Sequence, residues 1–339
     1  MLHSRMQSRM PVEEQSQVGA CRRAAQQLAE SHQFDATLTG RAGIIATELA
    51  NNLLRHASRG EILMQALEDT SRVTLEFVAI DKGPGMQVDR CLRDGFSTVG
   101  TAGTGLGAIS RLSSFFDAYS IAGQGSVVVS RICARTPARL GGGTAETPEL
   151  GAICIAVSGE IECGDCWRIA DEGGMTSIMI ADGLGHGPLA AIPARAAAEA
   201  FGEQPFDAPT GTIQRMHDRL GGSRGAAAAC AVLNAGTSTV AYSGVGNICG
   251  TVVTGEQVKG MVSHNGILGV QLLRKQQFDY AFQAGSRVIM HSDGMSARWS
   301  LGDYPGLFAR HPSVIAAVLY RDHARARDDV TVIVSGVRR

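Results

Sequence analysis

The sequence predicts a two-domain α+β protein, and three observations carry that expectation. The chain has 339 residues, more than one hydrophobic core usually spans. Residues 134–150, ARTPARLGGGTAETPEL, hold two prolines, three consecutive glycines and few apolar side chains, so they read as a linker. The patterning also differs on either side. Helices and strands mix at 15–133, which suggests an α/β sandwich with helices on one sheet face. Short strands dominate 151–337, which suggests a β-sandwich flanked by helices.

In the first domain, residues 19–31 and 35–55 show helical patterning. Residues 73–80, VTLEFVAI, are β-branched and aromatic and read as a strand. Residues 108–116 follow glycines and read as a helix, and 126–132, SVVVSRI, as a closing strand. In the second domain the strand candidates are 153–158, 167–170, 177–181, 228–233, 239–243, 287–291 and 330–335. Helices are expected at 188–201 and 312–321.

Composition narrows the function. Hydrophobic residues make up 44% and charged residues 19%, enough to bury cores and too apolar for wholesale disorder. The net charge is −1, without the basic excess that nucleic-acid binding by counterion release requires. Lysine is confined to Lys82, Lys259 and Lys275. No run approaches a membrane span, and the start, MLHSRMQSRMPVEEQ, lacks the apolar core of a secretory signal. The expectation is a cytoplasmic protein with neither nucleic acid nor membrane as partner. Of the eight cysteines only Cys163 and Cys166 form a CxxC pair. No second pair completes a zinc site, so reduced thiols are expected, with a redox switch at Cys163 and Cys166 as the alternative.

Three segments of the first domain suit a nucleotide. Glu48 and Asn52 lie four apart on a helix and project from one face. A carboxamide oxygen can coordinate a hard cation, and a carboxylate can orient or deprotonate a hydroxyl. Asp81 ends a strand and opens DKGPGM, where it can accept from an exocyclic amine while Gly83 and Gly85 let the backbone approach a flat ring. Gly103, Gly105 and Gly107 open a helix, where clustered N–H groups bind phosphate. Alone, an ExxxN pair is a solvated helix face and a GxGxG is a turn. Together, in this order and spacing, they are specific.

These pieces, ELANNLLRHA at 48–57, DKGPGM at 81–86 and FSTVGTAGTGLGAISRLSSFFD at 96–117, resemble the GHKL (Bergerat) ATP-binding fold. Within it they resemble the anti-sigma and RsbT-like serine kinases. The resemblance implies Glu48 as catalytic base, Asn52 as magnesium ligand, Asp81 as adenine partner, and Gly103, Gly105 and Gly107 in a short phosphate lid. ATP and Mg2+ are the implied cofactors.

The second domain places aspartates at strand ends: Asp165 in CGDC, Asp182 in ADGLGHG, Asp293 in HSDG and Asp328 in DDVT. Converging carboxylates repel one another unless cations intervene. Oxygen ligands favour magnesium or manganese, and two such ions can activate water for attack on a phosphoryl group. A single DG pair is normally a turn; the ordered set, each member joined to an apolar strand, is more than that. It resembles the PPM metal-dependent serine/threonine phosphatases, in their SpoIIE-type and RsbX-like branch, with further matches at YSGVGN (242–247) and NGILG (265–269). The resemblance implies Asp182 as bridging ligand with the Gly183 carbonyl on one metal, Asp293 and Asp328 on the other, and Asp165 acting through water. Mg2+ or Mn2+ would be the metal. His186 is either a proton donor or a structural turn residue.

The combined expectation is a bifunctional regulator of a sigma-factor or stressosome-like circuit. It would phosphorylate a STAS-domain protein on Ser/Thr from ATP and dephosphorylate phospho-Ser/Thr in the same circuit. The alternative is a metal-dependent phosphatase whose ATP domain is a nucleotide-dependent regulatory module.

Overall fold

The computed structural model describes residues 1–3, 7–57, 59–69, 72–92, 105–135 and 149–336. Two compact units emerge: Gln7–Ala145, and Glu146–Arg339 together with Met1–Met6.

The first unit is an antiparallel sheet covered by helices. Its elements are β1 (Ser8–Val12), α1 (Gln15–Ser31), α2 (Ala36–His56), β2 (Gly60–Asp69), β3 (Arg72–Asp81), α3 (Val88–Cys91), α4 (Gly105–Leu112), β4 (Phe115–Ile121) and β5 (Gly125–Arg135). The strand order is β1-β2-β3-β5-β4. Helix α2 starts where the Asp35 carboxylate accepts from Leu38 N at 2.8 Å, the usual service of an N-cap aspartate to an orphan amide. Its apolar stripe, Ala42, Ile45, Ala46, Leu49 and Leu53, packs with Ile62, Met64, Leu75 and Phe77 of the sheet. That stripe leaves Glu48 and Asn52 half-buried beside it.

Two expectations need correction here. The helix expected to run to residue 116 stops at Leu112, and Phe115 already begins β4. Strand β2 has no counterpart in the sequence reading. Its core, ILMQAL, is made of helix-favouring residues, yet Ile62–Leu67 are all buried, so tertiary packing overrides propensity. Residues 136–148, the body of the expected linker, lie outside the described residues; β5 ends just before them.

The second unit has two sheets. Its elements are β6 (Leu150–Ile155), β7 (Asp165–Glu172), β8 (Met175–Gly183), α5 (Pro188–Glu203), α6 (Pro209–Arg219), β9 (Ala226–Asn234), β10 (Thr239–Val245), β11 (Cys249–Thr254), β12 (Gln257–Met261), β13 (Ser263–His264), β14 (Phe278–Ala281), β15 (Arg287–His291), α7 (Pro312–His323) and β16 (Val330–Ser335). One sheet runs β13-β10-β9-β8-β7 with β14 paired to β10; the other runs β12-β11-β15-β16-β6. Helices α5 and α6 bury Ala194, Ala197, Phe201, Ile213 and Met216 against Met179, Ala228 and Cys230 of the first sheet. Helix α7 packs on β6 and β16. At the start of the chain Leu2 pairs with Ile169 of β7, Leu2 N reaching Ile169 O at 2.6 Å. No described helix is long and apolar enough to cross a membrane.

Candidate functional sites

In the first unit α2, the end of β3 and the start of α4 meet. A methyl group at Gly105 would lie 3.2 Å from Glu48 Oε2 and 3.3 Å from Asn52 Oδ1. The first residue of α4 therefore stands directly against both polar ends. Among the described residues neither Glu48 nor Asn52 has a hydrogen-bond partner or ion pair. A half-buried carboxylate and carboxamide left without protein partners, beside the first residue of a helix, fit a cation and a phosphate.

Asp81 ends β3, and its Oδ1 accepts from Gly83 N at 2.7 Å. A side chain at Gly83 would press on His56 O at 2.9 Å, so this turn packs against the end of α2. Gly85 has φ +76° and lies against the Ile121 carbonyl, a conformation and a closeness only glycine tolerates. The turn is tied down by Ser120, whose Oγ accepts from Met86 N at 2.8 Å. Ser120 was not anticipated, because a lone serine in a strand carries no sequence signal. Gly107 is a buried position of α4. Gly103 lies outside the described residues.

In the second unit Asp165 and Asp182 are direct partners across the β7–β8 pair. Burial pushes the Asp182 carboxyl up from its ordinary value, and the carboxylates of Asp165, Asp293, Asp328 and Asp329 push it further. Burial also raises Asp165, against the pull of the Ser292 hydroxyl, which donates to its Oδ2 at 2.7 Å. Burial raises Asp328 too, although Asp329 N donates to it at 2.9 Å. Asn247 Nδ2 donates to Asp293 Oδ2 at 2.6 Å. The carboxylates of Asp165, Asp293 and Asp328, from distant strand ends, thus all lie within electrostatic range of Asp182.

Two of the DG pairs are close approaches rather than loose turns. A side chain at Gly183 would meet the Ala190 carbonyl at 1.9 Å, and one at Gly294 the Asp329 carbonyl at 1.8 Å. Gly183 lets α5 dock on the end of β8; Gly294 brings Asp293 against the start of β16.

Asp329, the second half of DDVT, has a role the sequence reading missed. It is 2% exposed, and its two oxygens accept from Val157 N and Gly164 N, each at 2.7 Å. Both oxygens are committed to pinning the loop that delivers Asp165, so Asp329 holds that loop in place. His186 pairs through Nδ1 with Glu160 Oε1 at 2.7 Å, which anchors the DGLGHG loop. Nothing in DGLGHG signals that partner.

No three His, Cys, Asp or Glu side chains among the described residues close round one point as a finished ligand cage. The fit to a metal rests instead on charge and donor type. Buried carboxylates that raise one another's proton affinity are relieved by divalent cations, and an all-oxygen set suits Mg2+ or Mn2+.

The cysteine expectation changes. None of the eight is in a disulfide. The sulfur beside Cys163 is that of Cys154 on β6, at 3.6 Å. The thiol pairing at this site joins β6 to the loop before β7 and does not follow the CxxC spacing.

Comparison with known proteins adds the following. Residues 172–338 match the family described as Stage II sporulation protein E (SpoIIE), and residues 11–132 match the histidine kinase-like ATPase domain. The serine/threonine-protein kinase RsbT of Bacillus subtilis (strain 168) is 32% identical over 110 residues, covering 32% of this chain and 83% of that protein. A solved structure described as "The bacterial stressosome: a modular system that has been adapted to control secondary messenger signaling" aligns with TM-score 0.52 and 28% identity, over 56% of this chain and 99% of that one. RsbX in complex with magnesium aligns with TM-score 0.47 and 20% identity, over 54% and 92%.

Proposed function

Through its first domain the chain belongs to the RsbT family of serine/threonine-protein kinases, with a SpoIIE domain in the same polypeptide, and we propose on that premise that it sets the phosphorylation state of a partner in a bacterial partner-switching circuit from both directions. The reading is supported by Glu48 and Asn52 standing against Gly105 in the first unit and by the carboxylates of Asp165, Asp293 and Asp328 acting on Asp182 in the second.

In the first unit Asp81 would hold the adenine amine, and the amides opening α4 would hold the phosphates. Asn52 would hold magnesium. Glu48, beside Gly105, would take the proton from an acceptor serine or threonine hydroxyl. In the second unit Asp182 and the Gly183 carbonyl, with Asp293 and Asp328, would hold two divalent cations. When bound, those cations supply charge neutralisation and an activated water. Asn247 and Ser292 orient Asp293 and Asp165, and Asp329 keeps the Asp165 loop closed. The substrate class we propose is a STAS-domain protein, phosphorylated and later dephosphorylated on Ser/Thr. Fusion places both activities at high effective concentration near one partner.

The test is incubation with labelled ATP and candidate STAS proteins, then manganese addition and phosphosite mapping. Label that appears on a serine or threonine and leaves after manganese supports the reading. Manganese-dependent release from a pre-phosphorylated partner without any transfer would make the first unit a nucleotide-dependent regulatory module.

A further inference from the structure

We propose that Arg224 is the phosphate anchor of the second unit: the residue that seats the phosphoryl group of a phosphoserine or phosphothreonine beside Asp182. The inference rests on the phosphatase reading of that unit and adds a specificity residue to it.

The placement follows from strand register. Ala226 and Ala227, which open β9, pair with Gly183 and Asp182 at the end of β8. Leu184 N extends the pairing one step by donating to Gly225 O at 3.1 Å. Arg224 is therefore the residue just beyond the strand end that carries Asp182. Its side chain turns toward the loop after that aspartate, with Nη1 3.7 Å from the point a Cβ on Gly185 would occupy.

The backbone under Arg224 is fixed. Ser223 Oγ donates to Leu220 O at 2.6 Å and accepts from Gly225 N at 3.1 Å. Gly225 has φ +86°, and a side chain there would meet Leu268 O at 2.6 Å. The guanidinium is exposed and, among the described residues, has no hydrogen bond or ion pair. The arginines of α5 and α6 differ: Arg195 is paired with Glu162, Arg215 with Asp207 and Arg219 with Glu203.

Electrostatics supplies the reason. A dianionic phosphoester must approach a group of carboxylates, and bound cations cancel only part of that repulsion. A guanidinium at the rim, with its donors uncommitted, can take two phosphoryl oxygens in a bidentate pair. The site of hydrolysis itself is left to Asp182 and its partners, so Arg224 acts on binding of the phosphoryl group.

The experiment uses the full chain with magnesium and reads inorganic phosphate affinity by calorimetry. In parallel, KM and kcat are measured on a phosphoserine peptide with manganese. In Arg224→Ala we expect phosphate affinity to fall and KM to rise by about 10-fold or more, the effect of losing charge-assisted hydrogen bonds. The unfolding midpoint and magnesium affinity should stay at wild-type values, and Arg224→Lys should recover part of the loss. Arg325→Ala is the comparator, since the Arg325 backbone N–H donates to Gly294 O at 2.7 Å, next to Asp293. Phosphate affinity and KM unchanged in Arg224→Ala, or lost in Arg325→Ala alone, would overturn the proposal. If wild type hydrolyses nothing while Arg224→Ala still loses phosphate affinity, the phosphatase reading fails and the anchor stands.

Discussion

Asp165 and Asp182 face each other across neighbouring strands, one buried and one half-buried, and the Asp165 carboxylate raises the proton affinity of Asp182. That opposition is a cost the fold bears without cations and recovers with them.

The first prediction follows from it. Asp182→Asn should reduce manganese-dependent phosphatase turnover by at least about 100-fold, since even residues that merely support metal ligands matter at the 10–100-fold level, while nucleotide binding is unaffected. In chelator the variant should unfold at a higher temperature than wild type, because a like-charge contact is gone. Added manganese should raise the wild-type midpoint more than the variant's. Calorimetric scans with and without chelator check both, and a variant less stable than wild type in chelator would contradict the repulsion argument.

Glu48 stands against the first residue of α4 with no protein partner among the described residues. Glu48→Ala should slow phosphoryl transfer by about 10²–10⁴, the usual worth of a positioned general base, and keep ATP affinity within a few-fold. Asn52→Ala should instead weaken magnesium–ATP binding. Transfer assays paired with nucleotide titrations distinguish the two roles.

The close approach at Gly294 has a direct consequence. Any side chain would strike the Asp329 carbonyl, whose residue also pins Val157 and Gly164. Gly294→Ala should cost about 1–3 kcal/mol, the range for forced overpacking, and should lower metal affinity as well, because the shift is passed to Asp293. Denaturant unfolding and manganese titration provide the readouts.

Within the first unit Gln65, Glu76 and Arg131 lie in register across β2, β3 and β5. Arg131 Nε donates to Glu76 Oε2 at 2.7 Å and Gln65 Nε2 to its other oxygen at 2.9 Å, all three side chains buried. Glu76→Ala removes the carboxylate paired with this buried guanidinium and should cost about 3–5 kcal/mol. Replacing Glu76 and Arg131 together by Leu and Met should cost much less. Equal losses in the single and double variants would refute the pairing argument.

Peroxide treatment should join Cys154 to Cys163, whose sulfurs are 3.6 Å apart. The two thiols give up two hydrogens and the peroxide becomes two waters. Peptide mapping of the oxidised protein is the check, and a Cys163–Cys166 bridge in its place would show that the sequence spacing had been the better guide.

Much of the local geometry was legible because short motifs encode it. ExxxN sets two side chains on one helix face whatever surrounds it, and an aspartate at a strand end followed by glycine marks where a carboxylate leaves a sheet. Strand β2 was illegible because its residues favour helix in isolation. Asp329 was illegible because DDVT does not say which of two adjacent carboxylates turns inward.

The sequence by itself determined the two units, their helix and strand content in outline and the residue types at each site. Those follow from composition, periodicity and turn chemistry, which are local. Only the tertiary structure decided that Asp165 opposes Asp182, that Asp329 staples the loop carrying Asp165, that Cys154 is the partner of Cys163, and that Arg224 reaches toward Gly185 of the DGLGHG loop. Each depends on which strands pair and in what register, and that choice is made by burying apolar surface between residues far apart in the chain.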